Sequence, residues 1–493
     1  MQTTPERPLG LLEKYQVSKQ LTRTYGTVTT TAILRHGSYR PNSGNDNLNQ
    51  LRDIKQFYMS QLHAPLKRLV EEHVQLSLAV AENDEPTAHF VRLEGFDLSS
   101  IVHVNEQQVP FWDRSELAKV ISKECDHNFD LNDHTIPLWR LRICIHENRL
   151  DECSITFTAH HVIIDGKSLA LFWQNLYEEI TSNKSDSQEE KQDDGHHYWI
   201  NTQGGTRLMP PYEDRNAPMP TAWNMAGVIS RMIAKKVLPG FLAQRWFPQS
   251  WAGDYPGAAN KAQIQHHTLV RAIDLGGTIW NNVCVACREH GVTPHAATMA
   301  ALVMAFAELY PEVKTVSTCT PLDCRSFCNP PVPEDEMGNF FGAYSHVWTL
   351  PSPSSEDFWD MAKAYQTQLR ANKHEGAKEA GLLKYLPKYP EDYCDFWLGQ
   401  CDSNPTMHRA GGIELSDLGK FPTTTKEETG SWQIESIWFC QSAHPVTTAL
   451  DVNSIRTQDS IYLTLGWQKG SLQESKVDAL GRSVIDKLKN CFQ

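Results

Sequence analysis

The stretch His160-His161-Val162-Ile163-Ile164-Asp165-Gly166 carries residues whose types and spacing suit acid–base chemistry. An imidazole in a partly dry cleft titrates near neutral pH, so it can both take and return a proton. Asp165 could hydrogen-bond the imidazole or fold back to hold its loop, and Gly166 permits a sharp bend and close ligand approach. The alternative is a core histidine beside an ordinary Asp-Gly turn, since this spacing also arises by chance.

The segment before the motif distinguishes its two histidines. Apolar and polar residues alternate over 139–145 and again over 153–159, which predicts a hairpin. If the pleat continues past the second strand, His161 shares the apolar face and His160 shares the Ser/Thr face. His161 is therefore the candidate catalytic base.

After the motif, the spacing of the apolar residues changes from every second residue to helical spacing. Apolar residues from Leu169 to Ile180 follow helical spacing, and Ser168 is a plausible helix cap. The motif is therefore predicted to lie on a strand-to-helix turn.

The remainder of the chain mixes strands and helices. We predict strands near 27–35, 75–81, 314–319, 446–452 and 460–466, and helices near 50–73, after Thr293-Pro294, from Ser354 or Ser355 to 371, and over 477–488. The polar residues 181–196 predict a loop. The predicted organisation is two α/β halves, 1–190 and 265–493, joined by a long crossover over 191–264.

Size and composition limit the function classes. A chain of 493 residues is long enough for two domains, and its net charge of -13 argues against a nucleic-acid partner. Neither a secretory signal nor an apolar run of roughly 18 residues is evident, and the 12 Cys are scattered like reduced thiols. We expect a cytoplasmic monomer.

Other candidate sites are weaker. Cys284, Cys287 and His290 have half of a zinc-site spacing without a second pair, so we expect no metal. His196-His197 and His266-His267 lack a partner acid and are expected at the surface. The cysteines around Arg325 are expected to be core thiols: Cys319, Cys324 and Cys328.

Two separated blocks resemble a known family. The segment HHVIIDG (160–166), preceded by PLWRLRI (137–143), resembles the His-His-xxx-Asp-Gly acyltransferase superfamily of chloramphenicol acetyltransferase-like and condensation-domain folds. The block LDCRSFCNPPVPEDEMGNFFG (322–342) is similar to that family's second block. Residues 9–21 (LGLLEKYQVSKQL) look most like the fungal alcohol acetyltransferase branch.

The resemblance implies a fold and a reaction. The fold would be two chloramphenicol-acetyltransferase-like domains, each a mixed β-sheet flanked by helices, with an active-site tunnel between them. His161 would act as general base, and Asp165 would pair with Arg325 to shape the loop, with His160 and Gly166 as further support. An acyl group, expected to be acetyl, would pass from acyl-CoA to a small alcohol or secondary metabolite, without a covalent enzyme intermediate or a permanently bound cofactor.

The sequence offers three candidates for an oxyanion or tunnel residue. The segment FCQSAH (439–444) offers Ser442 or Gln441, and Asn339 of the second block is a further oxyanion or tunnel candidate, although ordinary strand residues are an equal alternative. The segment LTLGWQKG (463–470) departs from the Asp-Phe-Gly-Trp-Gly motif of plant members, so that motif's role is not transferred.

The same resemblance leaves other functions open. The acceptor could be an amine, and the donor could be carried by a carrier protein instead of CoA. A condensation-type fold can also serve as a cyclase or a binding module.

Residues 216–253 are basic within an acidic chain. They contain Arg231, Lys235, Lys236 and Arg245 but no acidic residue, and apolar residues between 225 and 237 follow helical spacing. Three interpretations stay open: a helix on a membrane or lipid surface through 223–247, a basic patch for the phosphates of CoA or a carrier protein, or a crossover helix packed on the body.

Overall fold

The structure is a computed structural model, and it describes residues 3–36, 47–105, 109–182, 198–204, 206–238, 242, 246–247, 249–350, 357–422 and 432–492. The principal helices in these ranges are α1 (Leu11–Leu21), α2 (Asn47–Glu72), α3 (Arg114–Cys125), α4 (Gly166–Thr181), α5 (Ala222–Val237), α6 (Gly277–Glu289), α7 (Pro294–Leu309), α8 (Phe358–Ala377), α9 (Glu391–Leu398) and α10 (Glu474–Asn490).

The described strands form four sheets. In chain order they are β1 (Thr3–Pro8), β2 (Thr27–Arg35), β3 (Leu78–Ala81), β4 (His89–Leu93), β5 (Gly95–Asp97), β6 (Val102–Asn105), β7 (Trp139–Cys144), β8 (Glu152–His160), β9 (Trp199–Asn201), β10 (Thr268–Gly276), β11 (Thr315–Asp323), β12 (Phe341–Thr349), β13 (Ile413–Lys420), β14 (Gln433–Gln441), β15 (Leu450–Arg456) and β16 (Ser460–Gln468). The two large sheets have the orders β14-β2-β8-β7-β6 and β10-β16-β15-β13-β11-β12, and the small ones β1-β4-β3 and β5-β9.

The predicted hairpin forms the centre of the five-stranded sheet. Strands β7 and β8 pair antiparallel, with Leu141 opposite Phe157. The apolar face packs on α4, where the rings of Phe157 and Phe172 stack with centroids 3.6 Å apart. The Ser/Thr face is also buried, because α3 covers it and the Glu124 carboxylate accepts a hydrogen bond from Thr158. Both faces of the strand that leads to the motif are therefore fixed by packing.

The six-stranded sheet is mixed. Strand β13 runs parallel to both β11 and β15, whereas β10, β16 and β15 pair antiparallel in sequence along the sheet. Helices α7 and α10 pack together beside this sheet. The molecule thus has the mixed sheets flanked by helices that the family resemblance implied.

Strand pairing crosses the predicted division of the chain. Strand β14 belongs to the predicted C-terminal half but pairs antiparallel with β2, with Phe439 opposite Thr30. Strand β9 lies in the predicted crossover and pairs with β5. The halves are consequently joined by shared sheets as well as by chain connectivity, while the boundaries at 190 and 264 stay predictions.

Several predicted element ends differ from the structure. Val74–Ser77 form a 3-10 turn, so the strand expected at residue 75 begins at Leu78. Helix α8 begins at Phe358 with Asp357 as its cap, and the expected starts at 354 and 355 lie outside the described residues, as does most of the predicted loop 181–196. Nine of the described strands were not predicted: β1, β4, β5, β6, β9, β10, β12, β13 and β14.

In the described part of the chain, no individual helix has the length and apolar character needed to span a membrane, although α6 and α7, bent by 104° at their junction, pass the same test as a pair.

Candidate active site

His161 lies in the wall of a cavity between the two large sheets. Strand β8 ends at His160, and His161 is the first residue of the turn that leads to α4. The cavity has a volume of about 440 Å³, and its lining comes from α1, β2, the motif turn and β11 to β14. The strand-to-helix position predicted for the motif is confirmed.

His160 has a different environment. Its side chain is fully buried, its Nδ1 accepts a hydrogen bond from the Val162 N–H at 3.0 Å, and its ring lies against Phe129. Burial lowers the pKa of His160 to about 3, so the imidazole is neutral. His160 therefore stabilises the turn through its bond to Val162. His161 is the histidine that faces the cavity, as strand phasing predicted.

Asn339 holds the His161 imidazole. Its Oδ1 lies 3.2 Å from Nδ1 of His161, and its Nδ2 donates to the main-chain carbonyls of His161 at 2.9 Å and Val162 at 2.7 Å. Burial, followed by the positive charge of Lys19, lowers the pKa of His161 to about 4. The imidazole is thus neutral at pH 7 and able to accept a proton.

Asp165 organises the start of α4. It is the helix cap, with Oδ1 accepting from the Ser168 N–H at 2.9 Å and from the Ser168 hydroxyl at 2.8 Å, while Oδ2 accepts from the Phe340 N–H at 3.1 Å. Our expectation that Ser168 caps the helix was wrong. The cap is Asp165, whose carboxylate accepts a hydrogen bond from the free N–H of Ser168 in the first turn.

Arg325 completes the carboxylate's contacts. Its Nη1 and Nη2 donate to the two oxygens of Asp165 at 2.8 and 3.1 Å, and both side chains are buried. Burial alone would raise the pKa of Asp165, but Arg325 and Ser168 together hold it below its ordinary value. Among the described residues none of these hydrogen bonds reaches His161, so the carboxylate anchors the loop.

Gly166 allows the close approach of α4 and β13. A Cβ at this position would lie 2.7 Å from Cδ2 of Leu418, well inside van der Waals contact. A side chain there would have to displace the Leu418 side chain from its place against the motif turn.

The three oxyanion candidates occupy different places. Ser442 is fully buried away from the cavity, and its hydroxyl bonds main-chain groups of Thr27 and Cys125. Both N–H groups of Asn339 are engaged by carbonyls, so it has no donor left for an oxyanion. Gln441 does line the cavity, where its Nε2 donates to Glu414 Oε1 at 2.7 Å.

Lys19 is a cavity residue that sequence reasoning missed. Its ammonium lies over the rings of Tyr15, Tyr25 and Trp397, at 4.8, 4.4 and 4.9 Å from the centroids. Burial lowers the pKa of Lys19 to about 8. Its only sequence signal is membership of the segment 9–21; Tyr15 and Tyr25 are near it in sequence, whereas Trp397 comes from a distant part of the chain.

The other cysteines and histidines singled out from the sequence lie in different environments. Cys284 and Cys287 lie on α6 as free thiols, and the His290 ring stacks on Trp359 at 4.2 Å. His266 is buried, contrary to the surface position expected for it, because its segment packs beside Gly26. His196 and His197 lie outside the described residues. Cys324 and Cys328 are buried as expected, whereas Cys319 lines the cavity.

Comparison with known proteins identifies relatives over nearly the whole chain. A family model described as "Alcohol acetyltransferase" matches residues 9–477. A probable alcohol acetyltransferase of Aspergillus fumigatus is 21% identical over 454 residues, covering 86% of this chain and 88% of the relative. A second, from Fusarium pseudograminearum, is 24% identical over 365 residues and covers 70% of this chain and 69% of the relative.

Solved structures share the fold. A trichothecene 15-O-acetyltransferase from Fusarium sporotrichioides superposes with a TM-score of 0.64 at 16% identity, covering 99% of this chain and 94% of that one. The epimerization domain from the third module of tyrocidine synthetase B gives a TM-score of 0.56 at 13% identity, with 99% and 98% coverage. At such low identity these similarities establish the architecture alone.

Proposed function

Since the chain belongs to the alcohol acetyltransferase family and is an acyltransferase acting on an alcohol, we propose that it moves an acetyl group from acetyl-CoA to the hydroxyl of a small alcohol or secondary metabolite. The observation that carries this proposal is the neutral, cavity-facing imidazole of His161, held by Asn339 at the junction of the two large sheets. CoA is a co-substrate in this proposal, and no permanently bound cofactor is required.

The contacts of Asn339 select the tautomer of His161. Because the Asn339 amide nitrogen donates to two carbonyls, its oxygen is the atom that faces Nδ1 of His161. An amide oxygen only accepts, so Nδ1 carries the imidazole hydrogen. The lone pair on Nε2 is then available as the base.

The proposed reaction needs one base and no covalent intermediate. Nε2 of His161 takes the acceptor's hydroxyl proton as the oxygen attacks the thioester carbonyl, which gives a tetrahedral oxyanion. When the intermediate collapses, the C–S bond breaks and the imidazolium returns the proton to the CoA thiolate. The low pKa of His161 makes its imidazolium a strong acid, which favours this return.

Asp165 and Arg325 act on the reaction through the loop. Their ion pair fixes the first turn of α4 and, through the Phe340 N–H, the segment that carries Asn339. The main-chain position of His161 and the position of Asn339 are thereby tied to one buried carboxylate. Gln441 is the oxyanion candidate that this arrangement leaves, since its amide lies in the cavity wall.

Release of free CoA thiol tests the proposal. Purified protein with acetyl-CoA and a panel of alcohols should release thiol in step with ester formation, and His161→Ala should abolish both. Thiol release with amines alone would favour an N-acyltransferase. No release with any acyl-CoA, combined with transfer from an acylated carrier protein, would contradict the CoA donor and support the carrier-dependent alternative.

We also propose a cytoplasmic location and a monomeric state. All 12 cysteines are free thiols, as expected in a reducing compartment. Size-exclusion chromatography with light scattering checks the monomer, and fractionation of the native host checks the location.

A further inference from the structure

Two polar side chains of the cavity wall, the half-buried Glu414 and the buried His444, lie beside the fully buried Asp451. A carboxylate oxygen of Glu414, a carboxylate oxygen of Asp451 and a ring nitrogen of His444 lie within 4.8 Å of one another. Glu414 and Asp451 are register partners on the parallel strands β13 and β15, so their side chains share one face of the sheet. We call these three residues the carboxyl pocket.

Asp451 lacks a hydrogen-bond partner within the carboxyl pocket. Asp451 is 1% exposed, and neither of its carboxylate oxygens has a hydrogen-bond partner among the described residues. Glu414 receives one bond, from the Gln441 amide at 2.7 Å. A buried carboxyl group without a donor costs free energy, and burial raises the pKa of both carboxyls above their usual range. A group that can both donate and accept a hydrogen bond would satisfy these oxygens.

The carboxyl pocket and His161 face the same cavity. Glu414, His444 and His161 all line it, and the ring of Tyr25 lies between the two histidines. The Tyr25 centroid is 5.0 Å from that of His444 and 6.2 Å from that of His161. A molecule reacting at His161 can therefore extend along the Tyr25 ring and place a second group at the carboxyl pocket.

The neighbouring charges favour an organic donor over a metal ion. The Lys19 ammonium is held on three aromatic rings, and no hydrogen bond or ion pair in the described part of the chain joins it to Glu414 or Asp451. Its positive charge opposes a divalent cation nearby, and the amide donor on Glu414 occupies an oxygen that a metal would use. A hydroxyl group has neither conflict, and an ammonium group carries only half the charge of a divalent ion and donates hydrogen bonds to the carboxylates.

We propose that Glu414, Asp451 and His444 bind a second hydrogen-bond-donating group of the acceptor, so that the preferred substrates are diols or amino alcohols instead of simple alcohols. This proposal rests on the alcohol acceptor of the proposed function. Glu414 and Asp451 accept from the donor group while the reacting hydroxyl lies at His161.

Three six-carbon probes test this selectivity. We expect kcat/KM for acetyl transfer to hexane-1,6-diol and 6-aminohexan-1-ol to exceed that for hexan-1-ol at least about tenfold, the usual penalty for leaving buried polar groups unpaired. Asp451→Asn and, independently, Glu414→Gln should bring the ratio towards one. Asp417→Asn is the control, because this carboxylate lines the same cavity but already has His295 and Arg456 as partners; it should keep the ratio.

Thermal shifts without CoA separate this proposal from the catalytic one. 6-Aminohexan-1-ol should raise the Tm of the wild type more than hexan-1-ol does, and Asp451→Asn should remove the difference. If this Tm difference is found but no thiol is released, the acetyltransferase mechanism is contradicted and the carboxyl pocket is still supported. Equal effects of both probes would overturn the pocket, as would stabilisation by Zn²⁺ alone that Asp451→Asn abolishes.

An independent feature is the exposed apolar surface of α5. Trp223, Ile229, Ile233 and Val237 are 86%, 48%, 56% and 75% exposed. The interpretation of this segment as a crossover helix packed on the body is therefore wrong, because its apolar side chains face solvent. Such a surface usually marks an interaction site.

The charge of this segment indicates what it contacts. Residues 216–253 contain four basic residues and no acidic one, in a chain whose net charge is -13. A helix with apolar and basic side chains suits an anionic lipid surface. Burial of its apolar side chains and attraction of its basic side chains to the headgroups both contribute to the binding free energy. We infer that α5 docks the enzyme on anionic membranes.

Vesicle flotation tests this inference. The protein should float with vesicles containing phosphatidylserine and much less with phosphatidylcholine alone, and Trp223→Ser with Ile229→Ser, or Lys235→Glu with Lys236→Glu, should each reduce binding at least about fivefold. Ile279→Ser, at an exposed apolar residue of α6, should have no effect. Equal binding of all variants would overturn the inference, and so would concentration-dependent dimerisation that Trp223→Ser abolishes.

Discussion

Arg325 and Asp165, separated by 160 residues in the chain, form a two-point ion pair with Nη1 2.8 Å from Oδ2 and Nη2 3.1 Å from Oδ1. Arg325 also donates to the main-chain carbonyl of Glu336 at 3.1 and 3.0 Å. The pair therefore joins the motif turn of the first half to the loop before β12 in the second. Its burial makes each partner dependent on the other.

Removal of either partner should destabilise the protein. We expect Asp165→Ala and Arg325→Ala each to lower the free energy of unfolding by about 3–5 kcal/mol, because the remaining charge is left buried without its partner. The double variant should lose much less than the sum of the two. Urea denaturation of the four proteins measures this coupling.

The exposed pair Glu116–Lys119 provides the control. Its side chains are 36% and 69% exposed, so Glu116→Ala should cost less than about 1 kcal/mol. If Asp165→Ala were as stable as Glu116→Ala, the structural role of the buried pair would be refuted.

His161→Ala should remove catalysis without harming the fold. Loss of a general base lowers turnover by about 10²–10⁴-fold, and the half-buried position of His161 makes its truncation tolerable. The expected result is near-background thiol release with circular dichroism and Tm close to the wild type. His374→Ala, at an exposed histidine of α8, should turn over normally. Wild-type turnover by His161→Ala would rule out His161 as the base.

Asn339 is expected to position the base. Asn339→Ala should lower kcat about 10- to 100-fold with little change in KM, the range seen for partners that orient metal-bound imidazoles. Asn339→Asp keeps an acceptor for the Nδ1 hydrogen and adds a negative charge, so it should raise the pKa of His161 from about 4.

The pH profile distinguishes this role from simple structural support. The acid limb of kcat/KM should move to higher pH in Asn339→Asp, because His161 is protonated more readily there. An unchanged limb in a folded, active variant would contradict the Nδ1 contact.

Buried His36 should make stability depend on pH. Burial lowers its pKa to about 4, against 6.5 ordinarily, so below pH 6.5 the unfolded chain takes up a proton that the folded chain refuses. Stability from this residue is present above pH 6.5 and is lost as the pH falls towards 4. Between pH 6.5 and 5, the free energy of unfolding of the wild type should fall more steeply than that of His36→Gln by about 1 kcal/mol per pH unit. His374→Gln should keep the wild-type slope.

Much of the local structure could be predicted because it depends on neighbours in sequence. The β-branched residues of 27–35 predicted β2, alternation of apolar and polar residues predicted the β7–β8 hairpin, and Thr293-Pro294 predicted the start of α7. Strand β13 was missed because its alternation of apolar and polar residues covers only Ile413–Ser416 and ends at Asp417, which is too short a run to distinguish a strand from a loop.

The sequence by itself determined that a strand delivers His161 to a turn and that a helix follows at Gly166, because pleat and helix period are set by adjacent residues. The family resemblance paired Arg325 with Asp165. Only the tertiary structure decided which groups surround the imidazole: Asn339 at its Nδ1, Lys19 among aromatic rings, and Glu414 beside Asp451. The contacts of His161 with Asn339, of Lys19 with Trp397 and of Glu414 with Asp451 join segments far apart in the chain, and burial and charge act through space instead of along the sequence.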